Sequence, residues 1–338
     1  MSEAMSPILV AGGAGYIGGH IVRLLRGRGV PVVVLDNFSN ALRASLPTDV
    51  AVVEGLKGDR DLAARTLEKY QPLAVVDLGG YPELRTNGLT PRDFYENNVV
   101  ETVRFLETLV SEGIRNYIFS SSATVYGETA NDPVPEYHKR EPLTAYSRTM
   151  RTCEDAVIDI FSGSDRRNLV LRYFNVAGAM EDLSFGQTMP NAYHVMSASL
   201  NVAFGTVKKV NAYGNNFDTP DGTGIRDYIH VQDLADIHVR AVERLLSDSG
   251  SNDVINCSYG HGWSILEITR AVSRVTGKDI PVNFVEQRGG FSGVSVLDNS
   301  KLTNNWKWKP KFDDLDAIVG HAYQWRSKRE KSSVKRPM

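Results

Sequence analysis

Cysteine is scarce: only Cys153 and Cys257 occur in 338 residues, so no disulfide framework is expected and a reducing, cytoplasmic compartment fits. No apolar run approaches the ~20 residues a membrane-spanning helix needs, so no membrane association is expected. Charge of either sign is not in excess. The 38 Lys and Arg against 40 Asp and Glu leave a net −2, which gives no electrostatic case for nucleic acid. The opening residues Met1-Ser2-Glu3-Ala4-Met5 lack the charged-then-apolar pattern of a targeting signal. Internal repeats and low-complexity linkers are also missing. What remains is ordinary globular composition, 42% hydrophobic and 23% charged, long enough for one large or two modest domains. The basic stretch from Arg326 to Arg336 reads as a solvated, frayed tail.

The most informative stretch is 8–36. Ile8, Leu9 and Val10 form an apolar strand, and a glycine-rich turn follows, Gly12-Gly13-Ala14-Gly15-Tyr16-Ile17-Gly18. Ile17, Ile21, Leu24 and Leu25 then recur at helical spacing until Gly27 and Gly29, and a second strand, 32–35, ends in Asp36. Gly12 permits the tight turn and Gly15 lets the backbone approach a pyrophosphate. Gly18 lets the helix pack closely on the strand. The helix N-terminus, opened by Tyr16 and Ile17, offers free N–H groups and a dipole to the phosphates. Asp36 stands where a carboxylate accepts ribose hydroxyls. Asn37-Phe38-Ser39-Asn40 follows without an arginine, and Asp36 would repel a 2′-phosphate, so the cofactor expected is NAD.

Strand-like and helix-like segments alternate onward, with strands at 50–53, 74–78, 117–119 and 169–174 and helices at 62–70, 94–109 and 143–160. That order predicts an α/β fold: a Rossmann-like doubly wound parallel sheet, with a smaller mixed α/β substrate-binding C-terminal region. The expected division is a cofactor domain at 1–176 with returning segments at about 227–260, a discontinuous substrate region at 177–326 and a basic tail at 327–338. Residues 180–224 are rich in Gly, Asn, Pro and Asp and show few clean periods. Helices are expected at 231–246 and 265–275, and 254–256 is a candidate to return to the sheet.

Two short segments carry chemistry. Ser120-Ser121-Ser122-Ala123-Thr124-Val125-Tyr126-Gly127 ends the strand at 117–119, and Tyr146-Ser147-Arg148-Thr149-Met150 begins the next helix. A hydroxyl and a phenol converging on one sugar hydroxyl suit proton removal coupled to hydride transfer. Taken singly, the serine run reads first as an N-cap or turn, and Tyr146 as a half-buried core tyrosine.

The combination resembles the extended short-chain dehydrogenase/reductase superfamily and, within it, the UDP-galactose 4-epimerase family, over about residues 7 to 326. The most specific matches are the glycine turn, Asp36-Asn37, 119–127, Leu171-Arg172-Tyr173-Phe174-Asn175 and the run from Asp221 through Arg226-Asp227-Tyr228-Ile229-His230 to Val231. The resemblance implies tightly held NAD, with Tyr146 as base on the sugar 4-hydroxyl, Ser122 sharing that proton, and a 4-keto sugar that turns over before the hydride returns. It implies cofactor contacts from Gly12, Gly15, Tyr16, Ile17, Gly18, Asp36, Asn37, Leu78, Gly79, Gly80, Asn97, Asn98, Ser120, Tyr146 and Phe174. For a UDP-sugar it implies Ser122, Asn175, Asn191, Tyr213, Arg226, Arg288 and Ser295; no metal is expected. Guanidinium groups suit a pyrophosphate because they bind phosphate oxygens bidentately, although Arg226 and Arg288 alone read as surface ion pairs. A homodimer through the helices at 94–109 and 143–160 is the family's usual assembly.

The chain departs from that family at informative places. Met150 stands where members carry a lysine that lowers the tyrosine pKa and holds the nicotinamide ribose. An unperturbed phenol, pKa ~10, is ionised in only about one molecule in a thousand near neutral pH. Loss of such base function costs about 10²–10⁴-fold. Arg148, two residues after Tyr146, points away on a helix, and Arg151 lies on another face. A second cofactor lysine is lost at Gly79-Gly80-Tyr81-Pro82, an acid near the adenine is Leu56, and a carboxylate for the uridine ribose becomes Phe291. Asn191-Ala192 replaces a pair of asparagines. The small Ser295 leaves room for an N-acetyl group at C2 of the sugar. Three readings follow: a working UDP-hexose 4-epimerase, a binding protein with negligible turnover, and a related nucleotide-sugar enzyme of altered chemistry. Ala123-Thr124-Val125, where dehydratases place an Asp-Glu pair, counts against dehydration.

Overall fold

The computed structural model describes residues 6–82, 88–129, 133–161, 163, 165–188, 194–247, 252–286 and 293–334. Arg288, Phe291 and Asn191, singled out above, lie outside them. The chain forms two compact units: one from 1–125, 140–172 and 235–255, the other from 126–139, 173–234 and 256–338.

The first unit begins with β1 (Ile8–Ala11), α1 (Tyr16–Gly27), β2 (Val32–Asp36), β3 (Ala51–Glu54), α2 (Arg60–Tyr70) and β4 (Ala74–Asp77). A short helix α3 (Pro91–Phe94), a π-helical stretch Tyr95–Val100 and α4 (Glu101–Ser111) follow, then β5 (Asn116–Ser120), α5 (Ala145–Ile160) and β6 (Arg167–Arg172). In the second unit are β7 (Asn175–Ala177), α6 (Val195–Ala203), β8 (Val210–Tyr213), β9 (Ile225–Arg226) and β10 (Tyr228–His230). After α7 (Val231–Leu246) and β11 (Asp253–Asn256) come β12 (Trp263–Ser264), α8 (Ile265–Thr276), β13 (Val282–Val285), β14 (Val294–Ser295) and α9 (Leu315–Val334).

Seven strands form one sheet in the order β11-β6-β5-β4-β1-β2-β3. β1, β2 and β4 are buried along their whole length, as their unbroken Val, Leu and Ile runs require of strands covered on both faces. The chain winds outward from β1 through β2 to β3, then resumes on the other side at β4. The crevice beyond the carboxyl ends of β1 and β4 is therefore the switch point where doubly wound sheets bind ligands. Registers Ala11↔Leu35 and Ala11↔Asp77 set Gly12, Asp36 and Leu78 side by side at that edge. β11 returns to the sheet beside β6, as the sequence suggests.

Among its described residues the second unit holds three small sheets: β10 with β7, β12-β9-β14, and β13 with β8. Helix α8 packs on both α6 and α9, and it starts in a capping box in which Ser264 and Glu267 satisfy each other's backbone N–H.

Several expectations change. The helix expected at 94–109 is not one continuous α-helix, because its first part winds as the π stretch Tyr95–Val100. The region 180–224, whose sequence shows few clean periods, contains α6 and β8. The basic stretch expected to fray is helical through Val334. Arg326 stacks on the Phe204 ring and bonds Asn201 Oδ1 and Thr206 Oγ1, while Arg329 reaches the carbonyls of Gln187 and Thr188. These long side chains lie along the unit with their charges hydrogen-bonded.

Candidate active site

The glycine turn is closed on itself. A Cβ on Gly18 would lie 2.3 Å from Gly12 O, and one on Gly12, whose φ is 76°, would lie 2.9 Å from Leu78 C. Gly15, the N-cap of α1, makes no side-chain cap hydrogen bond. Asp36 is 8% exposed; Oδ2 accepts the Ala14 N–H and Oδ1 the Phe38 N–H. Burial raises its pKa, and the two N–H donors offset only part of that rise. Asn37 Oδ1 accepts the Ser39 N–H and shapes the next turn.

Leu78, Gly79 and Gly80 leave β4 beside that loop, with the Leu78 N–H donated to Ala11 O. Asn98, buried in the π stretch, accepts the Tyr81 N–H at 2.7 Å and donates Nδ2 to Thr149 Oγ1 of α5. Its neighbour Asn97 has a buried Oδ1 with no hydrogen-bond partner among the described residues. Such π turns recur at functional sites because they re-aim side chains. A helix N-terminus without a side-chain cap, a carboxylate at the β2 end, close glycine contacts and an orphaned amide acceptor together fit a dinucleotide. These residues suit NAD: Gly12, Gly15 and Gly18 would admit the pyrophosphate and Asp36 would accept the adenosine ribose.

Ser120 ends β5, buried, with Oγ 2.7 Å from Nε2 of the equally buried His238. Ser122 lies two residues further, 7% exposed, with its Oγ 2.9 Å from Thr124 Oγ1. Tyr146 lies in the first turn of α5, half-buried, its ring edge-on to Phe94 at 6.1 Å. Thr144 and Ser147 form a capping box there: the Ser147 N–H donates to Thr144 Oγ1, and the Thr144 N–H to Ser147 Oγ. Met150 is 8% exposed, one turn beyond Tyr146. Arg148 is exposed and donates to Leu143 O, and Arg151 donates to Arg140 O and pairs with Asp155. Neither arginine takes the position of the missing ammonium.

In the second unit, β7 and β10 are in register at Asn175↔Tyr228, and Asn175 donates both its backbone N–H and Nδ2 to Asp227 O. Arg226 faces Ser295 in the β9–β14 register. Its guanidinium donates to the carbonyls of Ile225 and Gly293 and has no carboxylate partner among the described residues. Burial lowers its pKa. The ion-pair alternative for Arg226 therefore finds no support among the described side chains, whereas an anionic ligand matches a half-buried, carbonyl-held cation. Tyr213 ends β8, 38% exposed, and Phe174 is half-buried between β6 and β7.

Sequence reading missed Lys57, Asp77 and His238. Asp77, an acid closing the apolar strand Ala74–Asp77, was the one visible signal. Lys57 and His238 meet their partners across 20 and 118 residues, which no local pattern announces.

Comparison with known proteins gives the family and the fold. A UDP-glucose 4-epimerase from Azospirillum brasilense is 36% identical over 330 residues, 97% of this chain and 94% of the relative. The crystal structure of UDP-glucose 4-epimerase from Brucella ovis in complex with NAD superposes with a TM-score of 0.90 at 34% identity, covering 95% of this chain and 98% of that one. The UDP-Glc/GlcNAc 4-epimerase from Campylobacter jejuni gives 0.83 at 33% identity, over 96% of this chain and 100% of its own. The model of the NAD dependent epimerase/dehydratase family matches residues 8–258. On that match and on relatives similar over nearly its whole length, this chain belongs to the NAD dependent epimerase/dehydratase family.

Proposed function

We propose that the chain is a UDP-hexose 4-epimerase that interconverts UDP-glucose and UDP-galactose through a 4-keto intermediate and admits the N-acetyl sugars. The observation that carries this is the placement of Ser122 and Tyr146 at the carboxyl edge of the NAD-binding unit. Ser122 stands just beyond β5 and Tyr146 in the capped first turn of α5. Bound NAD supplies the acceptor and donor of hydride at C4. Tyr146 removes the proton of the 4-hydroxyl and returns it, and Ser122, hydrogen-bonded to Thr124, shares that proton. Arg226 and Asn175, with Arg288, Asn191 and Tyr213, hold the UDP moiety. Ser295, in register with Arg226, leaves space at C2.

Two buried free cysteines support a reducing, cytoplasmic setting, and among the described residues no helix is long and apolar enough to cross a membrane. The reading includes a homodimer through α4 and α5, where Ile158 is 47% exposed, which sedimentation tests.

A second reading, a homologue that binds NAD and nucleotide sugar with negligible turnover, is favoured by one feature, the apolar Met150 beside Tyr146. The two separate by experiment. Adding UDP-galactose to the NAD-loaded protein and analysing the sugar formed gives UDP-glucose if the first holds. No product and no transient reduced-nicotinamide absorbance favours the second.

A further inference from the structure

We propose that Asp77, held by Lys57, is a positioning residue for the coenzyme: it locks the 78–81 turn against the glycine loop. This rests on the NAD-binding reading above and adds residues that touch neither coenzyme nor sugar.

Asp77 is fully buried, and the Lys57 side chain is 6% exposed. Lys57 Nζ donates to Asp77 Oδ1 at 2.9 Å, Asp77 Oδ2 at 2.7 Å and Thr102 Oγ1 at 3.0 Å. An ammonium has three donors, so Lys57 has none left for a nicotinamide ribose and does not replace the lysine absent at Met150. Asp77 Oδ2 also accepts the Tyr117 O–H, and Oδ1 accepts the Gly79 N–H at 2.8 Å. A buried ion pair seldom adds net stability over an apolar pair of similar volume, so stability alone gives this one little reason to exist. What an apolar pair would lack is the acceptor aimed at the Gly79 N–H, just where the chain leaves the sheet.

Space around the turn is tight. A Cβ on Gly79 would lie 3.1 Å from Lys57 Cδ and 3.2 Å from Asp77 Oδ1. One on Gly12 would lie 3.0 Å from Gly79 N, so a shift of the turn displaces the glycine loop. The far end is held by Asn98, which accepts the Tyr81 N–H and donates to Tyr81 O and to Thr149 Oγ1. Thr149 Oγ1 donates in turn to Tyr146 O. One bracket thus joins the glycine loop, the 78–81 turn and the helix carrying Tyr146.

Two double variants isolate the acceptor. Lys57→Met with Asp77→Asn removes both charges but keeps an oxygen for the Gly79 N–H. Lys57→Met with Asp77→Leu removes both charges and the oxygen. The expected result is near-wild-type NAD affinity for the first and about tenfold weaker affinity for the second, with similar melting temperatures for the two NAD-free proteins. Equal NAD affinity in both overturns the proposal. Hydrogen exchange on the wild-type, NAD-free chain tests it without any substitution, even if a variant fails to fold. Protected Gly79 and Tyr81 amides are expected, and exchange at the open-chain rate overturns the bracket. A wild-type chain that binds no NAD while those amides are protected overturns the cofactor reading and leaves the bracket standing.

Discussion

In the proposed mechanism, Met150 is the residue on which the chemistry would turn. It is buried one helical turn beyond Tyr146, with Arg148 and Arg151 committed elsewhere. A thioether carries no charge with which to favour a phenolate, so slow turnover is expected. Met150→Lys is expected to raise kcat at least about tenfold, measured as UDP-galactose conversion at neutral pH. An unchanged kcat would mean that another group activates Tyr146. Ser295 argues at the same scale. Its small side chain faces Arg226, so UDP-N-acetylglucosamine should bind, and Ser295→Tyr should weaken it while sparing UDP-glucose, as titration of each nucleotide sugar would show. Both positions drew notice through the family resemblance, which assigns a residue type to each. Asp77 and Lys57 did not, because an ion pair between a loop and a strand end has no period.

Among the elements, α5 matters most. Its start is fixed by the Thr144–Ser147 capping box and its middle by Glu154, buried against Arg172 and reached by Arg140. Thr144→Ala should cost about 1 kcal/mol of stability, read by denaturant unfolding, and loosen the turn that carries Tyr146. Wild-type stability in that variant would show that packing alone holds the helix start. The strands of the large sheet were readable because burial on both faces demands continuous apolar runs. The π stretch Tyr95–Val100 was not, since its residues keep an ordinary helical pattern while the hydrogen bonds shift. The strands β9, β12 and β14, two residues each, are too short for any alternation to register.

For the whole molecule, the proton on Asp227 sets a pH dependence. Asp227 is 2% exposed, and burial pushes its pKa up to about 8, although the Leu297 N–H pulls the other way. Unfolded, it titrates near its ordinary value of about 4. Between those values the folded chain binds a proton the unfolded chain has released, so this contribution is full at low pH and is lost as pH rises toward about 8. Asp227→Asn should flatten that fall, seen as a smaller drop in melting temperature from about pH 5 to about pH 8 than in the wild type. Equal drops would place the proton elsewhere. The Asp227 motif was visible in the sequence as part of the 221–231 run, but its burial came only with the pairing of β7 and β10.

The central claim is that Tyr146 moves the proton of the sugar 4-hydroxyl. It is tested most directly by following UDP-galactose conversion in wild-type and Tyr146→Phe proteins, both loaded with NAD. UDP-glucose should form with the wild type and about 10²–10⁴-fold more slowly with the variant. Equal rates in the two proteins would contradict the claim.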